Sequence, residues 1–344
     1  SVIKAFRAAC SSRGSARVLI PRGRSFVVGE VLLVGPCTAK PITIDIQGTL
    51  LAYEDLSVYM NGAWILVERV DGAVVTGGGT LNGRGMNTWQ YHTKDGPQLP
   101  VTLVFQTVTN SKINRLSFLY SMGFHIKITD SVNVGVRGVT VRAPRKSPNT
   151  DGIHLSNATD VDITDCKIGT GDDCISIGHG ARNVLVARVR CGPGHGIRRA
   201  IQIFRRTNEL NVNGVTVINC TMSGTSNGAR IKTYANTSPK LTASTIIFQD
   251  LIMNKVRNPV IIDQHYPSKR KGRPSSVKLT DIHFRNIKGT TISPLSIQLD
   301  CSPTNPCEGV ELSNINLTPF GQIGALTTSC SNARFFTKGY LNPR

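Results

Sequence analysis

A short apolar pattern that repeats along the chain limits the possible folds more than any other feature of this sequence. Apolar residues at relative positions −3, 0 and +2 recur with central residues 23 to 33 positions apart. The alternation is typical of short, half-buried strands, and the Gly, Asn and Asp residues between sets are typical of turns. The sets are Ile113/Leu116/Phe118, Val136/Val139/Val141, Ile163/Cys166/Ile168, Val186/Val189/Cys191, Val217/Cys220/Met222, Phe248/Leu251/Met253, Leu279/Ile282/Phe284 and Leu312/Ile315/Leu317.

The repeat length separates the candidate architectures. A propeller blade needs about 40 residues or more, and a leucine-rich horseshoe carries a Leu/Asn signature that is not seen here. A β-sandwich would not repeat one triplet so often. We therefore predict an all-β, right-handed parallel β-helix of about ten coils, forming a single domain over residues 1–344. A short amphipathic helix at Val2–Cys10 is predicted to cap the exposed edge of the solenoid.

The charge balance indicates a polyanionic partner or an unusually basic surface. The 344 residues include 40 Lys+Arg and 21 Asp+Glu, which gives a formal net charge of +19. Basic residues group at Arg142–Lys146, Arg198–Arg206 and Lys269–Arg273, without the interleaved aromatic residues that stack bases. No nucleic-acid motif accompanies them, and no apolar run approaches the roughly 18 residues of a membrane span. We expect neither nucleic acid nor membrane as a partner.

The cysteines and glycosylation sequons favour a secreted protein. Nine cysteines leave at least one outside any intrachain pair. Cys166 and Cys220 occupy one predicted column two coils apart, which places their Cα atoms roughly 9–10 Å apart. A disulfide requires less than about 7 Å, so both are predicted to be buried thiols. The sequons are at Asn157, Asn219, Asn236 and Asn316.

A second alignment collects chemically reactive residues on one face. It places in one column Ile153, Ile175, Ile197, Ile231 and Ile262. Two residues before the first three members lie Asp151, Asp173 and His195, and Asp172 precedes Asp173. Arg230 and Lys232 flank Ile231. Neighbouring coils are about 5 Å apart, so three acids, one histidine and two cations are predicted to lie together.

This set suits the hydrolysis of a glycosidic bond in an acidic sugar. One carboxylic acid protonates the leaving oxygen and a second carboxylate activates water, while cations bind the carboxylate of the sugar. Taken singly, each feature has an ordinary explanation as a turn, a loop histidine or a solvated strand face. Three Asp residues could also hold calcium, but nearby cations would repel a metal ion. The prediction is hydrolysis with no metal and no cofactor.

The same residues resemble the polygalacturonases, a family of pectin-hydrolysing glycoside hydrolases, and its plant members in particular. The resemblance is carried by four ordered motifs: Asn149-Thr150-Asp151, Gly171-Asp172-Asp173-Cys174, Gly194-His195-Gly196 and Arg230-Ile231-Lys232. It implies a right-handed β-helix and an inverting hydrolysis of α-1,4-linked galacturonic acid in homogalacturonan.

The resemblance also implies a role for each matching residue. Asp172 would be the general acid, and Asp151 and Asp173 would activate the water. His195 would support the protonation state of the acid or orient the substrate. Substrate binding would fall to Arg230, Lys232, Tyr266, Asn149 and Gln264. The family pairs the cysteines that match Cys174 with Cys191, Cys301 with Cys307, and Cys10 with Cys37.

One segment departs from the family pattern. Small residues usually follow the Gly-His-Gly motif, whereas this chain continues with the cationic segment Arg198–Arg206. These cations could block the cleft or bind additional polyanion. The main alternative is therefore a catalytically impaired, pectin-binding cell-wall protein, and a pectin lyase-type enzyme is a third interpretation. Whether the protein is an active polygalacturonase or an impaired pectin-binding protein, we expect it to be secreted, monomeric and located in the cell wall, with pectin as its partner.

Overall fold

The computed structural model describes residues 2–93, 96, 98–201, 210–234, 241–266 and 274–343. The chain divides into two compact units, Ser1–Asp173 and Cys174–Arg344, called unit 1 and unit 2. Helix α1 spans Val2–Cys10, as predicted, and buries Phe6 and Cys10 against the first strands. No described helix has both the length and the apolar character needed to cross a membrane.

Unit 1 is built from short strands separated by tight turns and three 3-10 turns. The 3-10 turns span Leu56–Val58, Gly85–Asn87 and Trp89–Tyr91. The strands are β1 (Ala16–Ile20), β2 (Ser25–Val28), β3 (Val31–Val34), β4 (Ile42–Ile46), β5 (Thr49–Ala52), β6 (Ala63–Glu68), β7 (Ala73–Thr76), β8 (Thr80–Asn82), β9 (Val101–Gln106), β10 (Thr109–Asn114), β11 (Ser117–Leu119), β12 (Ile126–Arg137), β13 (Thr140–Arg142), β14 (Ile153–Thr164) and β15 (Lys167–Gly169).

Parallel pairing between successive coils organises unit 1. Strand β4 pairs with β1 and β7, β6 pairs with β3 and β9, and β8 pairs with β5 and β11, always in parallel. Each coil thus lays its strands on those of the coil before. Ile113 is in register with Val136, which is in register with Ile163, and all three are buried. The predicted apolar sets of unit 1 therefore stack as continuous hydrocarbon columns.

Unit 2 repeats this arrangement with longer strands. Its strands are β16 (Ile175–Ile177), β17 (Arg182–Ala187), β18 (Arg190–Cys191), β19 (Ile197–Ile201), β20 (Val212–Ile218), β21 (Thr221–Ser223), β22 (Asn227–Tyr234), β23 (Thr242–Val256), β24 (Asn258–Tyr266), β25 (Lys278–Thr291), β26 (Leu295–Asp300), β27 (Cys307–Pro319), β28 (Thr327–Ser331) and β29 (Ala333–Asn342). The pairs β16–β19, β19–β22, β22–β24 and β24–β26 are all parallel.

One of the predicted apolar sets is wrong. Phe248 is in register with Phe284, and their rings stack 5.4 Å apart, so Phe284 takes the −3 position rather than the +2 position. The set in this coil is Phe284/Ile287/Gly289, five residues after the predicted Leu279/Ile282/Phe284. Strand β25 buries the apolar residues of both sets. The spacing of apolar residues therefore fits this strand in two registers, and the sequence alone does not distinguish them. At the +2 position a Cβ on Gly289 would lie 1.9 Å from the Met253 carbonyl oxygen, so the apolar side chain expected there has no room.

The cysteine predictions are confirmed. Disulfides join Cys10 to Cys37, Cys174 to Cys191 and Cys301 to Cys307. Cys166 and Cys220 are buried and take no part in these bonds. Burial raises the pKa of the Cys166 thiol to about 11, which keeps it protonated at physiological pH.

Candidate active site

Two adjoining turns of unit 1 carry its three predicted acids. Asp151 lies just before β14, and Asp172 and Asp173 follow β15. The main-chain N–H of Gly152 donates to the Asp173 carbonyl at 2.9 Å, which ties the two turns together. Asp151 and Asp173 are 3% and 0% exposed, whereas Asp172 is half-buried. Asp172 is thus the acid of the three that an incoming molecule reaches most readily.

Side-chain hydrogen bonds hold these turns in place. The Gly171 N–H donates to Thr150 Oγ1 at 3.2 Å, and Thr150 Oγ1 lies 2.6 Å from Ser147 Oγ. A Cβ on Gly171 would lie 2.0 Å from the Ser147 carbonyl oxygen, so only glycine permits this approach. Asn149 has a left-handed φ of 52° and is half-buried, which leaves it accessible beside Asp151.

A glycine-rich turn of unit 2 carries His195. Gly194 and Gly196 have φ values of 144° and 93°, which favour glycine strongly, and a Cβ on Gly196 would lie 2.0 Å from the Asn227 carbonyl oxygen. The Asn227 amide donates to the His195 carbonyl at 3.0 Å. The Cys174–Cys191 disulfide anchors the chain just before this turn. His195 is half-buried.

The two cations lie on β22 of unit 2 among aromatic rings and one carboxylate. Lys232 is only 2% exposed, and its Nζ lies 3.2 Å from the centre of the Tyr266 ring. Arg230 Nη2 lies 3.5 Å from Asp263 Oδ2, and its Cζ lies 5.4 Å from the Tyr266 ring centre. The Arg230 Nε–H is buried and has no hydrogen-bond acceptor within the part of the chain that the structure describes. Such a donor can bond to an anion that reaches it.

The structure does not support substrate binding by Gln264. This residue is 0% exposed. Its amide nitrogen donates to the Val277 carbonyl at 2.9 Å, and its oxygen accepts from the Ser302 N–H at 3.1 Å. Side chains alternate along a strand, so Gln264 points to the core and its neighbour Asp263 points away from it. Its amide holds the neighbouring coil and leaves no group for a ligand.

The predicted isoleucine column breaks within unit 2. Ile175 is in register with Ile197, as predicted, but Ile197 is in register with Ala229 rather than Ile231. Ile231 pairs with Ile262 in the neighbouring column. A shift of two residues keeps every side chain on the same face of a strand, so apolar periodicity alone cannot detect it. The cations consequently lie two residues further along their strand than predicted.

The cationic segment that departs from the family pattern begins beside these cations. The β19 backbone places Arg198 in register with Arg230, and Ala200 in register with Lys232. The remainder of the predicted basic segment, residues 202–206, lies outside the described residues, as do the basic group Lys269–Arg273 and the sequon at Asn236.

Sequence reasoning missed one member of the cation cluster. Tyr234 packs edge-on against Tyr266, with ring centres 5.2 Å apart, and its ring centre lies 4.8 Å from Lys232 Nζ. The signal was present in the sequence. Arg230, Lys232 and Tyr234 alternate along a strand and therefore share a face.

Comparisons with known proteins agree with this description. The family model of glycosyl hydrolases family 28 matches residues 10–339. An exopolygalacturonase from Platanus acerifolia is 42% identical over 341 residues, covering 97% of this chain and 90% of the relative. A polygalacturonase from Brassica napus is 40% identical over 351 residues, covering 100% of this chain and 87% of the relative.

Solved structures show the same fold at low sequence identity. An endo-xylogalacturonan hydrolase from Aspergillus tubingensis matches with a TM-score of 0.83 at 22% identity, covering 98% of this chain and 96% of its own. Endopolygalacturonase I from Stereum purpureum matches with a TM-score of 0.76 at 20% identity, covering 99% of both chains. The predicted right-handed parallel β-helix is confirmed.

Proposed function

This chain belongs to glycosyl hydrolases family 28, and we propose that it is a polygalacturonase that hydrolyses the α-1,4 bonds between galacturonic acid residues of homogalacturonan in pectin. The observation that carries the substrate class is the cation cluster of unit 2. A buried ammonium at Lys232 and a buried Arg230 Nε–H without an acceptor in the described residues suit a carboxylate on the sugar.

The acids of unit 1 supply the chemistry in this proposal. Asp172, the accessible carboxyl, donates its proton to the glycosidic oxygen as the bond from that oxygen to C1 breaks. A water oxygen bonds to C1 from the opposite face, and its proton passes to the carboxylate of Asp151 or Asp173. The product carries the inverted, β configuration at C1. His195 supports the protonation state of Asp172 or orients the sugar.

Incubation of the purified protein with polygalacturonate between pH 4 and 7 tests the activity. We expect new reducing ends, β-anomeric product in the first ¹H NMR spectra, and no loss of rate in EDTA. Salt-sensitive binding without products would instead establish the impaired, pectin-binding alternative, which the family matches do not favour. Products that absorb as unsaturated uronides would establish a lyase. Product sizing at low conversion separates attack at chain ends from attack within the chain.

We also propose that the protein is a secreted, glycosylated monomer of the cell wall that folds as one domain. The three disulfides support an oxidising compartment. Among the described sequons, Asn219 and Asn316 are exposed, whereas the Asn157 amide donates to Asp130 Oδ1 at 2.7 Å. Glycan mapping of protein secreted from plant cells should find the first two occupied. Sedimentation should show a single monomeric species, and calorimetry should show the single unfolding transition of one domain.

A further inference from the structure

A fully buried histidine of unit 1 contacts the main chain of Asp151. His125 immediately precedes β12 and is 0% exposed. Its main-chain N–H donates to the Asp151 carbonyl at 2.8 Å, and its ring Nδ1 lies 3.1 Å from the same oxygen. A carbonyl oxygen can only accept, so Nδ1 carries the hydrogen. The main-chain carbonyl of Asp151, the proposed water-activating acid, is thus held by two donors from one histidine.

The other ring nitrogen completes the neutral tautomer. The Ser121 N–H points at Nε2 at 3.4 Å, which requires Nε2 to be an acceptor. Burial lowers the pKa of His125 to about 4, in agreement with a neutral ring. His125 therefore carries no charge. Because it is fully buried, it does not reach a substrate and does not donate a proton to one.

The turn that presents the Ser121 N–H is itself fixed. Trp89 Nε1 donates to the Ser121 carbonyl at 3.1 Å. The Ser121 hydroxyl donates to the Phe124 carbonyl at 2.7 Å and accepts from the Thr102 hydroxyl at 2.7 Å. A connected set of buried hydrogen bonds thus runs from Trp89 through the histidine ring to the main chain of Asp151.

We propose that His125 is a positioning residue that fixes the main chain at Asp151, and through it the carboxylate that activates water. This inference rests on the proposed role of Asp151. A residue that only filled the core would need no ring nitrogens, whereas both nitrogens of His125 bond to the main chain at defined positions. A carboxylate displaced by about 1 Å from its reacting water can cost up to 100-fold in rate.

Three substitutions separate positioning from packing. His125→Asn places an amide N–H near the position of Nδ1 and keeps the bond to Asp151. His125→Gln carries its amide one bond further out, and His125→Phe keeps only the ring shape. Ser111→Ala is the matched control, because Ser111 Oγ also accepts from a buried main-chain N–H in unit 1, that of Ala73, at 3.1 Å.

We expect kcat to fall about 10- to 100-fold in H125Q and H125F with KM changed less than about twofold. H125N should recover at least about tenfold over H125Q, and the acidic limb of the kcat profile should shift in H125Q and H125F but not in H125N or S111A. S111A should lower Tm without changing kcat. Wild-type kcat per folded molecule in H125Q and H125F, or equal kcat in H125N and H125Q, would overturn the inference.

Two further measurements keep the test decisive. Asp151→Asn is assayed in parallel: full activity in D151N rejects the role of Asp151 itself, whereas an inactive D151N beside a fully active H125Q rejects only the role of His125. If the histidine variants do not fold, ¹⁵N-histidine NMR of the wild-type protein decides. One histidine should remain a neutral Nδ1–H tautomer at pH 5, and an Nε2–H tautomer or imidazolium at every histidine would contradict the proposal.

Discussion

The acid-bearing turns of unit 1 and the cation-bearing strand of unit 2 position their side chains by different means. In unit 1, main-chain groups around Asp151 and Asp173 are joined to each other and to buried hydroxyls. In unit 2, Lys232 lies over an aromatic ring, and Arg230 has one carboxylate neighbour at 3.5 Å. Directional main-chain bonds hold the turns that carry the acids, whereas aromatic rings lie against the cations on their strand.

This difference matches what each group must do. A general acid or base works only at a defined distance from the reacting atom, so directional hydrogen bonds serve it. A cation that binds a carboxylate gains most from the removal of water, and an aromatic face excludes water while still attracting the charge. Substitutions in the turns should therefore change kcat, and substitutions on the strand should change KM.

The largest expected effect tests the acid side of this comparison. Asp172→Asn removes the proton that the leaving oxygen requires, so kcat should fall by about 10²- to 10⁴-fold with Tm nearly unchanged. Reducing-end assays and calorimetry measure the two quantities. Asp162→Asn, on the exposed face of β14, is the control and should keep the wild-type rate. Equal activity of D172N and wild type would remove Asp172 from the acid role.

The free energy of unfolding should depend on pH through His125, which holds the Asp151 turn of unit 1. His125 stays neutral in the folded protein down to about pH 4, whereas in the unfolded chain it takes up a proton near pH 6.5. The unfolded state therefore binds more protons between these values, and the free energy of unfolding should decrease by about 3 kcal/mol as pH falls from 6.5 to 4. Denaturant titrations measure this slope.

The same titration of His125→Asn supplies the comparison. The variant has no imidazole at this position, so its unfolding free energy should lack that part of the pH dependence. Parallel curves for the two proteins would show that His125 does not contribute the slope.

The next effect tests the cation side. Lys232→Met keeps most of the apolar stem and removes the charge, so kcat/KM on polygalacturonate should fall about 10- to 100-fold, chiefly through KM, as expected for a lost charge-assisted bond of about 1.5–3 kcal/mol. The preference for free over methyl-esterified substrate should shrink as well.

Lys255→Met is the matched control for Lys232. Lys255 Nζ lies 4.1 Å from the ring centre of Phe320, so it forms a comparable cation–ring contact on an exposed residue of unit 2. Its kinetics should equal those of the wild type. A fall in kcat with unchanged KM in K232M would contradict the division between the two regions.

The smallest effect concerns Tyr234. Tyr234→Leu removes the ring that packs edge-on against Tyr266 and lies beside Lys232, so KM should rise about two- to fivefold, in keeping with about 0.5–1 kcal/mol for such contacts. Tyr234→Phe keeps the ring, so its KM should lie closer to the wild-type KM than that of Tyr234→Leu does. Equal KM values for Y234L and Y234F would exclude Tyr234 from the substrate-binding cluster.

The fold could be predicted from the sequence because every coil repeats one physical requirement. Val186, Val217 and Phe248 stack in register because each coil must bury an apolar residue at the same level. Register was predicted less well, since a strand that slips by two residues still buries the same face. The shift from Ile231 to Ala229 opposite Ile197 is such a slip.

The site was only partly predictable for a related reason. Motif residues such as Asp172 and Lys232 could be identified by chemistry and resemblance. The burial of Gln264 depends on which face of β24 is internal, and the role proposed for His125 depends on a carbonyl 26 residues away. A local pattern contains neither piece of information, because both depend on contacts between different coils.

The Cys174–Cys191 disulfide makes the preparation of this protein an experimental variable. One of its cysteines directly follows Asp173, and the other lies four residues before His195. In a reducing cytoplasm the stacked strands can form while this crosslink does not. Soluble protein from such a host would then have the correct secondary structure and a mobile histidine turn. Thiol quantification should therefore accompany every negative activity assay.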